Sequence, residues 1–153
     1  MAASHNRGSI SSAAEKMAAL GQRLTPQRRA VLDALRKARR TVTAPDLYEE
    51  LAASHPALGR ATVFRSLDAL VDAGLAQRFE RPGHVYAYAA CSASDHHHHL
   101  LCIHCDRTVE IDEAVIGPLV SQLTRRYGFA VDHSSLDFYG ACHRCRDTKV
   151  VAR

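Results

Sequence analysis

Cys91-Ser92-Ala93-Ser94-Asp95-His96-His97-His98-His99-Leu100-Leu101-Cys102-Ile103-His104-Cys105 crowds imidazoles and thiols around one CxxC pair. A CxxC turn aims two thiolates at one centre, and tetrahedral zinc then needs two more ligands. A second pair, Cys142-His143-Arg144-Cys145, supplies them, with 36 residues between Cys105 and Cys142. Cys102, Cys105, Cys142 and Cys145 therefore read as a structural Zn²⁺ site. Two disulfides or four buried thiols are the competing assignments. A CxxC loop suits a metal better than a structural disulfide, and nothing in the sequence suggests secretion.

Around this stretch lies a chain of 153 residues, enough for one or two small domains that gain from a metal or a partner. Hydrophobic residues make up 46% and charged residues 24%, the balance of a soluble globular protein. No run reaches the roughly 18–20 apolar residues of a membrane span, and no signal peptide opens the chain, so a cytoplasmic protein is expected. The formal net charge of +4 is unevenly placed. Residues 1–80 hold twelve Lys and Arg against eight Asp and Glu, whereas residues 81–153 hold eight of each. A basic first half suits a polyanion, and a neutral, ligand-rich second half suits a cation.

Upstream, residues 1–10 are polar and expected to be disordered. Ser11–Leu20 reads as a short helix stopped by Gly21, and Thr25-Pro26 as an N-cap followed by proline at the first helical position. The helix from Pro26 to about Ala38 sets Val31, Leu32 and Leu35 against a basic face. Thr43-Ala44-Pro45-Asp46 opens another helix, and Ala61–Ala73 a third, with Val63, Leu67, Leu70 and Val71 as its stripe and Gly74 as its stop. Two short helices joined by a tight turn, the second basic at its start, match a helix-turn-helix. Leu75–Glu80 and His84–Ala89 flank Arg81-Pro82-Gly83 and read as a two-stranded wing. Downstream, Thr108–Ile111 alternates as a strand and Ala114–Tyr127 reads as a helix whose first turn holds Gly117-Pro118. Ala130-Val131 and Leu136–Tyr139 read as short strands. The fold class expected is α+β, a winged helix-turn-helix followed by a small α/β domain.

With these elements in place the chain resembles the ferric uptake regulator (Fur) superfamily from about Leu24 to Cys145. The motifs are Leu24-Thr25-Pro26-Gln27-Arg28, Ala61-Thr62-Val63-Phe64-Arg65, the run His96–Cys105, and Phe138-Tyr139-Gly140-Ala141-Cys142-His143-Arg144-Cys145. The resemblance implies a DNA-binding domain over 1–82, a wing and hinge over 83–95, and a metal-binding dimerisation domain over 96–153. It implies a homodimer on a double-stranded DNA operator, with no membrane, organic substrate or catalytic role. Zinc uptake regulators are the most similar branch, because Cys91 is a fifth cysteine close to His97, and a thiolate among imidazoles favours Zn²⁺.

The resemblance also implies a regulatory site. Alternate histidines of such a segment face one metal, so His97 and His99 fall on one side and His96 and His98 on the other. Glu110 stands where the family often supplies a carboxylate. Cys91, His97, His99 and Glu110 then form the regulatory set. Two further family ligand positions hold Gln77 and Ala87 here, and His84 or Asp95 is the candidate substitute, His84 first. A third family site retains His96, His98 and His133, but Gly117 stands where its acid is expected. For DNA, Arg60, Thr62, Phe64 and Arg65 open the recognition helix, while Gln27 and Arg28 are placed to hold the backbone.

The function these readings imply is a metal-dependent repressor, zinc-sensing and controlling metal-uptake genes. The alternatives are a peroxide-sensing member, in which peroxide reacting at bound Fe²⁺ oxidises a ligand histidine, and a member sensing iron, nickel or manganese. A zinc-dependent hydrolase is the distant rival, and the sequence offers no HExxH or similar motif for it.

Overall fold

The computed structural model describes residues 13–81, 83–92, 97–134 and 136–147. The expectations for residues 1–10, Asp95 and His96 lie outside that range. The chain divides into two compact units, Met1–Cys91 and Ser92–Arg153, so the expected wing-and-hinge stretch is shared between them.

In the first unit, helix α1 covers 13–19 among the described residues, followed by α2 (Pro26–Ala38), β1 (Val42–Thr43), α3 (Ala44–Ala52), α4 (Arg60–Asp72), β2 (Ala76–Arg81) and β3 (Val85–Ala90). The starts of α2 and α3 are set by threonine caps. The Thr25 side chain accepts from the Arg28 N–H, and that of Thr43 from the Asp46 N–H, each with proline in the following turn. These bonds satisfy N–H groups that a helix start would otherwise leave without partners. At the end of α4 the chain reverses through Gly74 at φ +63°, a conformation that costs a side-chain-bearing residue but not glycine. The wing is an antiparallel sheet in the order β1-β3-β2, with Phe79 opposite Ala87 and Arg78 opposite Tyr88. Strand β1 is two residues long, too short for its composition to announce it. Met17, Val31, Leu32, Leu35, Leu47, Val63, Leu67 and Leu70 are essentially inaccessible and form a continuous core.

The second unit runs β4 (His97–Cys102), β5 (Thr108–Asp112), α5 (Glu113–Tyr127), β6 (Asp137–Gly140) and the short α6 (His143–Arg146). Its sheet is ordered β5-β4-β6: β4 pairs antiparallel with β5 and parallel with β6. A parallel pair needs a long crossover, which α5 provides. The start of α5 differs from expectation. Asp112 caps it by accepting the Ala114 N–H at 2.7 Å, so the helix begins at Glu113 and Pro118 lies inside it rather than in its first turn. A proline there removes one helical hydrogen bond, a cost of about 3 kcal/mol relative to alanine. Ala130-Val131 forms no strand; two apolar residues, one of them β-branched, make no β-structure of their own without a neighbouring edge to bond.

The two units differ in what they bury. Among described residues of the second, the buried apolar side chains are Leu101, Cys102 and Ile116, and they are joined by His98 and His99 at 1% and 0% exposure. A unit with so lean a core and two buried imidazoles is poorly stabilised by apolar burial alone.

Candidate metal centres and nucleic-acid surface

The parallel pairing of β4 and β6 brings the two CxxC turns together. Cys102 ends β4 opposite Gly140 of β6, and the Ile103 N–H bonds the Gly140 carbonyl at 2.9 Å. Cys105 follows in a turn closed by the Asp106 N–H on the Cys102 carbonyl, with Asp106 at φ +63°. Cys142 caps α6, which carries Cys145. The four sulfurs lie within 4.8 Å of one another, with Cys105 and Cys142 Sγ 3.7 Å apart. Thiolates on one tetrahedral zinc, with Zn–S bonds of about 2.3 Å, sit about 3.8 Å apart. The geometry fits that ion.

The thiols are also biased toward ionisation unevenly. Burial opposes ionisation of Cys102, but the backbone N–H groups of Cys142, His104 and Cys105 outweigh it and bring its pKa down to about 6. The Cys142 N–H lies 3.3 Å from that sulfur. Cys145 goes the other way, to about 12, because hydrogen bonds with Cys142 and Cys105 hold its proton and burial adds to them. Cys145 thus holds a proton that a bound cation would have to displace.

The second cluster stands on the odd-numbered face of β4. His97 and His99 have ring centroids 4.9 Å apart. Glu110 of β5, in register with His99, brings Oε1 to 3.8 Å from His97 Nε2. These three ligand atoms lie within 4.8 Å of one another. The Glu110 carboxylate is fixed by Ser92, whose N–H donates to Oε1 at 2.6 Å and whose hydroxyl donates to Oε2. Burial raises the Glu110 pKa, but those two bonds and the nearby His97 and His99 lower it more, and the group stays below the usual carboxylate value. Asp137 of β6, which sequence reading did not single out, lies 3.5 Å from His99 Nδ1 through the β4–β6 register. A carboxylate behind a ligating imidazole orients the ring and raises its basicity. Cys91 is buried at the end of the first unit, its N–H bonded to the Leu75 carbonyl at 3.0 Å.

Two expectations for the metal ligands change. His84 is not a buried ligand: its side chain is 91% exposed at the wing turn, with Nδ1 2.6 Å from Glu80 Oε1. Gln77 is half-buried and Ala87 fully buried on the wing. The acid missing at Gly117 is supplied one helical turn earlier. Glu113 lies 2.9 Å from His98 Nε2 through Oε2 and 3.1 Å from His133 Nε2 through Oε1, and these three form a third cluster. His98 Nδ1 is fixed by the Leu136 carbonyl at 3.0 Å. A Cβ at position 117 would come within 3.3 Å of Glu113 Oε1, so the glycine leaves that carboxylate its room. Residues four apart share a helix face, and that spacing was the signal in the sequence.

On α4, Val63, Leu67 and Leu70 face the core, while Phe64 is 46% exposed and Arg65 is exposed. Phe64 is therefore no core residue. Thr62 is half-buried, and Gln27 is exposed on α2. Arg28 donates to the Arg23 carbonyl at 2.7 Å, and the Arg60 guanidinium sits 5.0 Å over the Tyr48 ring. That stacking favours one rotamer of Arg60. No helix among the described residues is long and apolar enough to cross a membrane.

Comparison with known proteins agrees with this architecture. The model of the ferric uptake regulator family matches residues 19–139. The ferric uptake regulation protein of Bacillus subtilis (strain 168) is 31% identical over 126 residues, 80% of this chain and 85% of that one. The peroxide operon regulator of the same organism is 29% identical over 136 residues, 89% and 92% of the two chains. A crystal structure of the Vibrio cholerae ferric uptake regulator, described by its rearranged DNA-binding domains, superposes with a TM-score of 0.60 at 28% identity, covering 84% of this chain and 98% of that one. Iron- and peroxide-responsive relatives at similar distances define the family but not the ion, and family membership removes the hydrolase alternative. The chain belongs to the ferric uptake regulator family and is a metal-responsive transcriptional regulator, not an enzyme.

Proposed function

We propose that the chain is a zinc-responsive repressor of metal-uptake genes, acting in the cytoplasm as a homodimer on a double-stranded DNA operator. The observation that carries the zinc reading is the donor set at the histidine strand. His97, His99 and Glu110 converge there, and Ser92, which holds Glu110, is covalently preceded by Cys91. Consecutive Cα atoms are about 3.8 Å apart, so the chain itself keeps the thiol within reach of a shared ion. One thiolate, two imidazoles and one carboxylate make a four-coordinate set suited to Zn²⁺, whereas iron and manganese favour nitrogen and oxygen ligands. Bound there, the ion supplies a cross-link. Cys91 ligates from the first unit and the other three from the second, so binding favours one arrangement of the 91–92 junction. DNA that selects the same arrangement tightens metal binding by an equal factor.

In this reading Cys102, Cys105, Cys142 and Cys145 hold a structural Zn²⁺ that supports the lean second unit. His98, Glu113 and His133 form a further cation site. The homodimer is supported by α5: Val115, Leu119, Leu123 and Tyr127 recur on one stripe and are all exposed, and in fifteen residues only Ile116 is buried. An amphipathic helix that leaves its apolar stripe uncovered is built for a partner. Arg60, Thr62, Phe64 and Arg65 present α4 to the major groove, with Gln27 and Arg28 toward the phosphates.

A cobalt titration of protein whose structural zinc is already filled tests the assignment. The wild type is expected to develop thiolate-to-cobalt charge-transfer absorption, and Cys91→Ser to lose it while remaining folded. Identical spectra would return Cys91 to the core and favour an iron, nickel, manganese or peroxide sensor with nitrogen and oxygen ligands.

A further inference from the structure

Ser92 meets one carboxylate with two polar groups. Its N–H meets Glu110 Oε1 at 2.6 Å and its hydroxyl donates to Oε2, across eighteen residues of sequence. A carboxylate has two oxygens, each with two acceptor positions. With one bond on each oxygen the carboxylate plane cannot swing. The oxygen that faces His97 Nε2, at 3.8 Å, is Oε1. Oε2 is held on the hydroxyl.

We infer that Ser92 is a positioning residue that fixes metal selectivity by restricting Glu110 to single-oxygen ligation. The inference rests on the sensor-site reading above. A carboxylate that offers one oxygen adds one ligand and keeps the set at four, the number zinc prefers. A carboxylate that can turn and chelate through two oxygens raises the coordination number toward the larger shells of Mn²⁺ and Fe²⁺, which favour oxygen-rich, octahedral sites. The backbone N–H on Oε1 survives any side-chain change at position 92, so the hydroxyl is the selective part. Position 92 is exposed and the hydroxyl is small, so its removal leaves no cavity in a packed core. The lowered Glu110 pKa agrees with this, since both bonds from Ser92 stabilise the ionised group.

The test compares wild type, Ser92→Ala and Ser92→Thr, each with structural zinc filled, by cobalt spectroscopy and by competition between Zn²⁺ and Mn²⁺. Wild type and Ser92→Thr are expected to show the intense d–d bands of four-coordinate cobalt. Ser92→Ala should show weaker bands of higher coordination, with thiolate charge transfer retained. Its preference for Zn²⁺ over Mn²⁺ should narrow by about two- to tenfold, the range of one net hydrogen bond. Unchanged d–d bands and an unchanged preference in Ser92→Ala would overturn the role of Ser92 while leaving the sensor site standing. Absence of thiolate charge transfer in the wild type would overturn the site, and this inference with it.

Discussion

Cys142→Ser is expected to yield a chain that no longer retains its structural zinc and no longer dimerises. Three thiol ligands remain, but the removed thiolate heads the knuckle that β6 delivers to β4, and the backbone N–H of residue 142 on the Cys102 sulfur, which the serine keeps, does not replace a ligand. Binding of structural zinc contributes on the order of 10 kcal/mol in small zinc-folded peptides at neutral pH. The second unit buries Leu101, Cys102 and Ile116 as its described apolar core, which is far too little to offset such a loss. Light scattering and zinc analysis on the purified variant measure the effect, and a zinc-loaded dimer would contradict the assignment. Acid should act in the same direction. The folded Cys102 pKa of about 6 lies below the ordinary thiol value of 9.0. Its ionised form therefore favours the folded, zinc-binding state above the ordinary value and loses that advantage as pH falls through about 6. Zinc release to a chelator should steepen below that pH.

DNA affinity is expected to collapse with salt. The first eighty residues carry the whole net +4 of the chain. A protein neutralising six to ten phosphates loses roughly 10³- to 10⁵-fold in affinity between 50 and 200 mM salt, because bound cations leave the DNA on association. Fluorescence anisotropy across a salt series measures the slope, and a flat response would exclude a phosphate-dominated interface. Within it, Arg65 is exposed on α4 beside Phe64. Arg65→Ala should cost about 1–3 kcal/mol and relax preference at one operator position if the guanidinium reads a base edge. A uniform loss across all sequences would instead make it a phosphate clamp.

The features legible in the sequence were those encoded by short spacing. Thr25-Pro26 and Thr43-Ala44-Pro45 announced two helix starts because a cap and a proline act within one turn. The CxxC pairs announced a common centre, and period two divided the histidines of β4 into His97 with His99 and His98 apart. What depended on long-range register was not legible. Asp137 reaches His99 only because β6 lies parallel to β4, pairing residues 38 positions apart in the chain. Glu113 was passed over because the acid was sought at Gly117, and a one-turn displacement changes the residue number without changing the helix face. Pro118 pointed to a later helix start, whereas the Asp112 cap fixes α5 at Glu113 and the helix runs through the proline. His84 was drawn to the metal by its type and its place near the hinge; Glu80, four residues before it across the wing turn, meets the ring instead.

Zinc-gated DNA binding is tested most directly by anisotropy of a fluorescent duplex, enriched by the protein from a random pool, across a series of buffered free Zn²⁺ concentrations with structural zinc already filled. Wild-type affinity is expected to rise with free zinc by roughly 5- to 150-fold, the usual range of a coupling between two sites. Cys91→Ser should stay at the low-affinity level until free zinc far exceeds the wild-type midpoint. Equal affinity at every zinc concentration, or a rise that Cys91→Ser follows at the same midpoint, would contradict the account.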